Sequence, residues 1–503
     1  MRAVFLPLLL CAPLAFATPA QAPAKGKTAS AKTTLKKTGP NGPGLPKMPE
    51  AGAMKPFRTP PKERFRLSNG LEVVLVEDHR FPLLSVRLAM RGGTALAGAR
   101  DAGLVDALAE LLTSGTSKRG AKEIAQEADA FGGSLEAQAQ RDYIVLEAFS
   151  LSERAGRMLD LLAETALDPV FPEAEVELRK KNMLEELKVA RSQPAFLAAV
   201  AFNKKLYGRH PYAVTAPTEE SIARIGRNAL QVLHKRLFVT ANSVLVAAGD
   251  IRRAELEPML EARFSSWKPR GELPVAPIPP PRETGGEPRR IVFVERPGSA
   301  QSVLQLGNLA LTEGHPDYFK LLVANQALGG SFAARLMTDL REHKGYTYGI
   351  YSRLPSARSG GAFVIKTQVR GEVTAPSIEA ILGHLEKMRE ELITPEELRQ
   401  AKNTLAGRFV RGLETQQGVA DALLHGMMMD LPEDRLDLFV GKAQEVSAEQ
   451  VREAARLYFR PESLLLSVVG DPSIRSAIEM FSAQPVLVVD ENGDDAGQDR
   501  DKR

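Results

Sequence analysis

The segment GLVDALAELLTSGT, residues 103–116, has the pattern of an amphipathic helix that carries an unexplained pair of charges. Leucines recur at helical spacing and predict one buried stripe, formed by Leu104, Leu108, Leu111 and Leu112. Asp106 and Glu110 are four residues apart, so their carboxylates share one face of this helix. Like charges at this spacing destabilise an isolated helix by roughly 0.2–0.5 kcal/mol. The pair therefore needs an explanation that lies outside the helix.

The 503-residue sequence, with 44% hydrophobic and 25% charged residues, has the composition of a globular protein with more than one domain. Residues 1–22 combine Arg2, an apolar stretch and a small-residue cleavage site, which predicts a secretory signal peptide. The only cysteine, Cys11, lies in this segment, and the large residue before it argues against a lipoprotein. We expect an exported chain, periplasmic or secreted, that folds without disulfides.

Low-complexity segments divide the rest of the chain. Residues 23–62 predict a disordered leader, residues 268–288 a Pro-rich linker, and residues 487–503 a disordered tail. The stretches between them, 63–267 and 289–486, each have the usual size of a domain.

The charge and hydropathy of the chain give no support for two classes of partner, nucleic acids and a membrane-spanning contact. Much of the formal net charge of +4 comes from lysines of the predicted leader, so the folded part gives no indication of nucleic-acid binding. No apolar run after the signal peptide is long enough to cross a membrane, so we expect no stable membrane span.

The two candidate domains resemble each other, which indicates a duplicated fold. FPEAEVELRKKNMLEEL (171–187) has a counterpart in ITPEELRQAKNTLAGRF (393–409), and NSVLVAAGDI (242–251) has one in SLLLSVVGDP (463–472). The members of each pair are separated by similar lengths of chain, which makes chance agreement improbable.

The first copy mixes strands and helices. Residues 65–78 predict a hairpin that turns at Asn69-Gly70, and residues 84–91 predict a half-buried strand. Helical patterns follow at 101–114, 121–131, 152–166 and 173–191. Hairpin strands beside grouped helices favour an α+β layer over a doubly wound sheet.

The opening segment resembles the zinc-motif helix of the pitrilysin/insulinase (inverzincin) family of peptidases, and the arrangement of the chain resembles this family over nearly all of residues 64–486. Family members carry H-x-x-E-H in a phrase similar to G-L-A-H-x-L-E-H-M-L-x-x-G-T, after a strand that ends like Arg91-Gly92-Gly93. Aligned without a gap, the histidines become Asp106 and Glu110, and the glutamate becomes Ala109. The resemblance implies two duplicated domains similar to LuxS and the mitochondrial processing peptidase, each a mostly antiparallel sheet packed with helices.

The residues that this motif has lost are those that zinc hydrolysis requires. Two neutral imidazoles at i and i+4 bind one Zn²⁺, and the glutamate takes a proton from the metal-bound water. The third ligand of the family is a later glutamate, which Glu186 matches, with Glu185 one position away. We therefore expect that this chain binds no zinc and does not cut peptides alone.

Two interpretations of the remaining carboxylates stay open. Asp106, Glu110 and Glu186 together would suit Ca²⁺ or Mg²⁺ better than Zn²⁺. The simpler interpretation is an exposed acidic helix face.

The second half keeps another segment that resembles the family. LGGSFAARLMTDLREHKGYTYGIYS (328–352) is similar to L-G-G-x-x-S-R-L-x-x-x-L-R-E-x-x-G-L-A-Y, although the usual serine before Arg335 is absent. The resemblance implies that Arg341 binds a substrate carbonyl and that Tyr348 donates a hydrogen bond to the oxyanion. A preorganised donor of this kind typically contributes ~3 kcal/mol to transition-state stabilisation. Tyr346 is the competing tyrosine, and the alternative role of both candidates is structural.

This contrast between the halves predicts a subunit role. Some bacterial members of the family resemble a split enzyme, in which one subunit carries the zinc motif and its partner the arginine and tyrosine. We predict the second type: a subunit without zinc that completes a heteromeric metallopeptidase, with zinc in its partner and unfolded peptides as substrates. The alternatives are an inactive structural or peptide-binding protein and, third, a self-sufficient peptidase with a carboxylate metal site.

Overall fold

The computed structural model describes residues 57–267, 278, 280, 281 and 287–496. The predicted signal peptide, the predicted leader up to residue 56 and most of the Pro-rich linker lie outside the described residues. Within the described part, every helix is too short or too polar to cross a membrane.

The structure consists of two sheets and sixteen α-helices among the described residues. The strands are β1 (Glu63–Arg66), β2 (Glu72–Glu77), β3 (Leu83–Arg91), β4 (Ser134–Ala139), β5 (Tyr143–Leu151), β6 (Ser243–Gly249), β7 (Arg290–Glu295), β8 (Gln301–Ala310), β9 (Thr347–Arg353), β10 (Ser356–Ala357), β11 (Gly360–Arg370), β12 (Leu465–Gly470) and β13 (Leu487–Val489). The helices are α1 (Leu104–Leu111), α2 (Ala121–Ala130), α3 (Ala155–Leu167), α4 (Glu173–Arg191), α5 (Pro194–Tyr207), α6 (Glu219–Ala223), α7 (Arg227–Leu237), α8 (Arg253–Phe264), α9 (Tyr318–Gly329), α10 (Arg335–Met337), α11 (Thr374–Glu390), α12 (Pro395–Gly412), α13 (Gln416–Met428), α14 (Arg435–Glu445), α15 (Ala448–Tyr458) and α16 (Arg475–Glu479).

The sheet topology confirms the α+β class and the duplication. The first sheet has the order β1-β2-β6-β3-β5-β4, and the second has β10-β11-β8-β12-β7-β13, with β9 paired to β11. Each sheet contains a matching parallel pair, β2 with β6 and β7 with β12, whose second strand pairs antiparallel with the next strand, β3 or β8. The strands β2, β6, β3, β5 and β4 thus correspond in order to β7, β12, β8, β11 and β9. The predicted hairpin is also present, since β1 pairs with β2 and Gly70 takes a left-handed φ of 86° at the turn.

One face of each sheet packs against helices of its own half, and the opposite face is covered by a helix from the other half. Helix α13 packs Val419, Ala420, Leu423 and Leu424 against the valines and alanines of β2, β3 and β6. Helix α5 packs Leu197, Ala198, Ala201 and Phe202 against the outer valines of β7, β8 and β11. The prediction that residues 84–91 form a half-buried strand is therefore wrong: β3 is buried on both faces, because α13 covers the face that would otherwise meet water.

Two arginines of β3 hold α13 against the first sheet. The side chain of Arg87, which is 4% exposed, donates from Nε to Asp421 Oδ1 on α13 at 2.7 Å. Arg91 donates from its two Nη atoms to the carbonyls of Met428 and Met427, at 3.0 and 2.9 Å. These carbonyls end α13, where a cation is favoured by the helix dipole. The arginine of the Arg91-Gly92-Gly93 segment therefore has a docking role.

The structure differs from two of the predicted boundaries. The predicted tail begins inside the folded part, because β13 adds to the second sheet parallel to β7 and Lys204 pairs with Asp494 at 2.6 Å. The predicted leader also extends too far, since the backbone N–H of Thr59 donates to Asp437 Oδ1 at 2.6 Å. Composition alone could not reveal these contacts, because their partners lie hundreds of residues away in the sequence.

The packing of α5 predicts that its loss weakens the whole molecule. Phe202 is fully buried, and its Cζ would lie only 3.1 Å from a Cβ at Gly307 of β8, so the ring packs closely on that strand. We expect Phe202→Ala to lower the free energy of unfolding by ~3–5 kcal/mol, measured by chemical denaturation of the full chain as one cooperative transition. Val232→Ala on α7, where Val232 is 60% exposed, is the control, with a change below about 0.5 kcal/mol. A loss under 1 kcal/mol, or unfolding of the second half alone, would contradict the packing described.

Candidate functional site

The positions that the resemblance aligns with the zinc motif lie on α1, whose apolar stripe is buried against the first sheet. Leu108, Leu111 and Leu112 are at most 3% exposed, and Leu104 is half-buried. The helix begins after Gly103, which has a φ of 88° and whose Cβ would lie 2.7 Å from Met183 Cε. Ala109 is fully buried among the leucines and offers no group for proton transfer.

The acidic positions of the lost motif share an arginine. Arg179 on α4 places Nη2 2.8 Å from Glu110 Oε1 on α1. Its Nη1 lies 2.9 and 3.1 Å from the two carboxylate oxygens of Glu186. The Arg179 side chain is only 11% exposed, so the guanidinium sits between the two helices and bridges both carboxylates.

The electrostatic environment shifts the pKa values of the acidic groups on α1. Partial burial raises the pKa of Glu110 to about 7; the negative charges of Glu186 and Asp106 add to this effect, and Arg179 offsets part of it. Burial likewise raises the pKa of Asp106, against a smaller opposing effect of its own backbone N–H and of Arg179. One guanidinium thus stabilises this cluster of carboxyl groups, some of which hold their protons more tightly than free carboxyls do.

These residues do not fit the zinc ion that the family motif binds. The cluster offers no imidazole, and Arg179 already bridges Glu110 and Glu186. Across the described ranges, no three or more His, Cys, Asp or Glu side chains are grouped as metal ligands. The arrangement does not support the alternative of a carboxylate site for Ca²⁺ or Mg²⁺, because Arg179 bridges two of the three carboxylates.

Sequence reasoning missed Arg179, although a signal was present. Arg179 and Glu186 are seven residues apart on one helix, so they lie on the same face. The available signal was Arg179 itself, a cation seven residues before Glu186, which is the position that the resemblance matches to the third zinc ligand.

The structure brings Arg341 and Tyr348 together in the second half. Arg341 lies in a π-helical turn, Thr338–His343, that continues α10, and Tyr348 lies on β9. The guanidinium carbon of Arg341 is 5.0 Å from the centre of the Tyr348 ring, within the range of a cation–π contact. Tyr348 is 71% exposed, whereas the competing Tyr346 is half-buried and its backbone N–H bonds to Leu340. The geometry therefore favours Tyr348 as the partner of Arg341, although the roles of both residues stay predictions.

A frame of ion pairs fixes the segment that carries Arg341. Arg335 makes a bidentate contact with Glu397, at 2.6 and 2.9 Å, and this hydrogen bonding lowers the pKa of Glu397 to about 2. In the π-helical turn, Asp339 accepts a hydrogen bond from His384 Nε2 at 3.0 Å and pairs with Lys344. The segment is thus held on both sides of Arg341, even without the serine that the family usually has before Arg335.

The bridging role of Arg179 predicts its contribution to stability. Replacement by methionine would leave Glu110 and Glu186 without their shared cation, so we expect Arg179→Met to cost ~1–3 kcal/mol in the free energy of unfolding. Lys180→Met, next to it on α4, removes only an ion pair with the mostly exposed Glu177 and should cost under about 0.5 kcal/mol. Equal effects of the two variants in chemical denaturation would contradict this account.

The same geometry predicts when zinc binding can be restored. With Asp106→His and Glu110→His, the chain would hold two imidazoles and Glu186, a set that suits Zn²⁺. We expect this double variant to bind zinc in an equimolar amount only when Arg179→Ala is added, since the guanidinium competes for the same place. Elemental analysis after dialysis against zinc and then buffer measures this. Equal zinc content with and without Arg179 would show that the arginine does not block the site.

Comparison with known proteins matches both halves of the chain to one family. The profile of the insulinase family (peptidase family M16) matches residues 72–214, and the profile of the peptidase M16 inactive domain matches residues 224–405. A protein from Mycobacterium bovis named an uncharacterized zinc protease is 28% identical over 410 residues, which cover 81% of this chain and 93% of that protein. The non-peptidase homolog YmxG from Helicobacter pylori is 23% identical, with 79% and 91% covered.

Solved structures give the same result for the fold. The structure of a peptidase M16 inactive domain from Pseudomonas fluorescens has a TM-score of 0.76 and 28% identity, and the match covers 82% of this chain and 98% of that one. A protease from Helicobacter pylori has the same TM-score at 20% identity, with 82% and 99% covered, which shows a shared fold. With both halves of the duplicated fold matched, this chain belongs to the insulinase (M16) family of peptidases.

Proposed function

We propose that this chain is the zinc-free subunit of a heteromeric insulinase-family metallopeptidase. In this role it supplies Arg341 and Tyr348 to an active site whose zinc and general base belong to a partner with H-x-x-E-H. The chain would act after export, in the periplasm or outside the cell, on unfolded peptides. It would be inactive alone.

The observation that carries this proposal is the contrast between the two halves. In the first half Arg179 bridges Glu110 and Glu186, so metal-assisted hydrolysis has no support there. In the second half Arg341 and Tyr348 are in contact and remain accessible, with side chains 28% and 71% exposed. Exposure of a paired cation and phenol has no benefit for packing, which supports a role in binding.

The chemistry of this pair suits peptide hydrolysis. The guanidinium of Arg341 can donate to the carbonyl of a bound peptide and so fix its backbone. The hydroxyl of Tyr348 can donate to the oxygen that gains negative charge as water attacks the scissile carbonyl. Both groups bind and orient; neither is a nucleophile or a base in this scheme.

The second candidate function is an inactive peptide-binding or structural protein. The match to an M16 inactive domain and the similarity to a protein named a non-peptidase homolog support it. It differs from the first proposal in needing no zinc-bearing partner. Purification of the chain from its native source separates the two: a stable complex with a chain that carries H-x-x-E-H supports the subunit, and recovery without one supports the second candidate.

Substitution of the pair tests the first proposal directly. In a complex with a zinc-motif member of the family, we expect Tyr348→Phe to lower kcat for peptide cleavage by roughly 100-fold, because one oxyanion donor is lost. Arg341→Ala should lower kcat/KM by a similar factor. Tyr351→Phe, which removes another exposed hydroxyl of β9, is the matched control and should leave cleavage unchanged. Full activity in both test variants, with the complex intact by size-exclusion chromatography, would refute the proposal.

A further inference from the structure

Phe332 is an aromatic side chain whose exposure the packing of the chain does not explain. It lies in the short loop between α9 and α10 and is 55% exposed. The guanidinium carbon of Arg341 is 4.4 Å from the centre of the Phe332 ring, and Tyr348 lies within 5.0 Å of the same carbon. Two accessible aromatic rings therefore contact the one arginine that we assign to peptide binding.

The loop that carries Phe332 is anchored at both ends. Before it, Arg408 Nη1 donates to the carbonyl of Gly330 at 2.9 Å, and a Cβ at Gly330 would lie 2.6 Å from Gln326 Cα. After it, Ala334 is 4% exposed, and Arg335 is held by Glu397. The ring of Phe332 is thus presented by a fixed frame, and its exposure is built into the local structure.

The site around Arg341 combines hydrogen-bond donors, on the guanidinium, with an apolar surface formed by the rings of Phe332 and Tyr348. An aromatic ring contacts the flat face of a guanidinium and leaves the N–H groups at its edge able to donate. A ligand that satisfies Arg341 and covers the rings offers an acceptor oxygen with an apolar group beside it. A peptide segment with a large apolar side chain has this composition.

The position of β9 adds a reason for an extended peptide. Among the described strands, β9 pairs only with β11 and so lies at the edge of the second sheet. An edge strand can accept an extended peptide through backbone hydrogen bonds. Tyr348 belongs to this strand, so a peptide along it would pass the aromatic side chains.

We propose that Phe332 is a specificity-determining residue, which makes the subunit select peptides with an aromatic or large aliphatic side chain next to the carbonyl bound by Arg341. This inference rests on the proposed function of Arg341 in peptide binding. It adds the class of peptide that the site accepts and the residue responsible.

Direct binding to the isolated full chain tests the inference without a zinc-bearing partner. The probes are two fluorescently labelled ten-residue peptides of the same sequence, except that the phenylalanine and leucine residues of one are serine and asparagine in the other. By fluorescence anisotropy, we expect the wild-type chain to bind the apolar peptide about 5- to 20-fold more tightly. Phe332→Ala should abolish this difference by weakening the apolar peptide alone, and Phe332→Leu should keep most of it.

Two controls separate this inference from the function on which it rests. Phe81→Ala removes another exposed ring, 58% accessible and on the first half, and should change neither affinity. Arg341→Ala should weaken the binding of both peptides equally.

Equal weakening of both peptides by Phe332→Ala would mean that the ring only supports Arg341, and would overturn the inference. No preference for the apolar peptide, or no binding of either, would also overturn it, whereas loss of cleavage in the Arg341 variant of the complex would still support the proposed function.

Discussion

The exchange of two helices between the halves is the constraint on which the rest of the structure depends. Helices α5 and α13 each belong by sequence to one half and by packing to the sheet of the other. A sheet buried on both faces needs apolar residues at successive positions, and β6 and β12 are accordingly buried throughout. Because of this exchange, we expect the two halves to unfold as one cooperative unit. The exchange also fixes the first sheet, against which α1 packs, and the second sheet, to which Tyr348 belongs.

Arginines take different roles at the two sites of this fold. Arg179 is almost buried and gives its donors to two carboxylates of its own half, so its charge is used for stability. The guanidinium carbon of Arg341 lies 4.4 and 5.0 Å from the centres of the Phe332 and Tyr348 rings, and its single ion pair in the described part is to the adjacent Glu342, at 3.3 Å. The same functional group thus forms short ion pairs with two carboxylates at one site, and at the other it contacts two exposed aromatic rings.

The sequence allowed prediction of what depends on local pattern and on internal similarity. The hairpin at Asn69-Gly70, the helix of 173–191 and the duplication follow from turn chemistry, helical periodicity and repeated phrases, and the structure confirms them. The pairing of Arg341 with Tyr348 could be anticipated only through the resemblance to a family. Long-range partners could not be predicted: the second buried face of β3, the contact of Arg179 with Glu110 and the addition of β13 to β7 each join segments distant in sequence. No local signal records which distant side chain completes such a contact.

The exchanged helices also set the order in which the chain can fold. Helix α5 is made before any strand of the second sheet, and β12, one of its partners, begins only at Leu465. During synthesis the apolar face of α5, which includes Phe202, is fully covered only after β12 has been made, more than half of the chain later. Contacts of such long sequence separation are slow to form and expose apolar surface to aggregation in the meantime. The arrangement that makes the mature protein cooperative therefore makes the nascent chain dependent on protection until its last strands emerge.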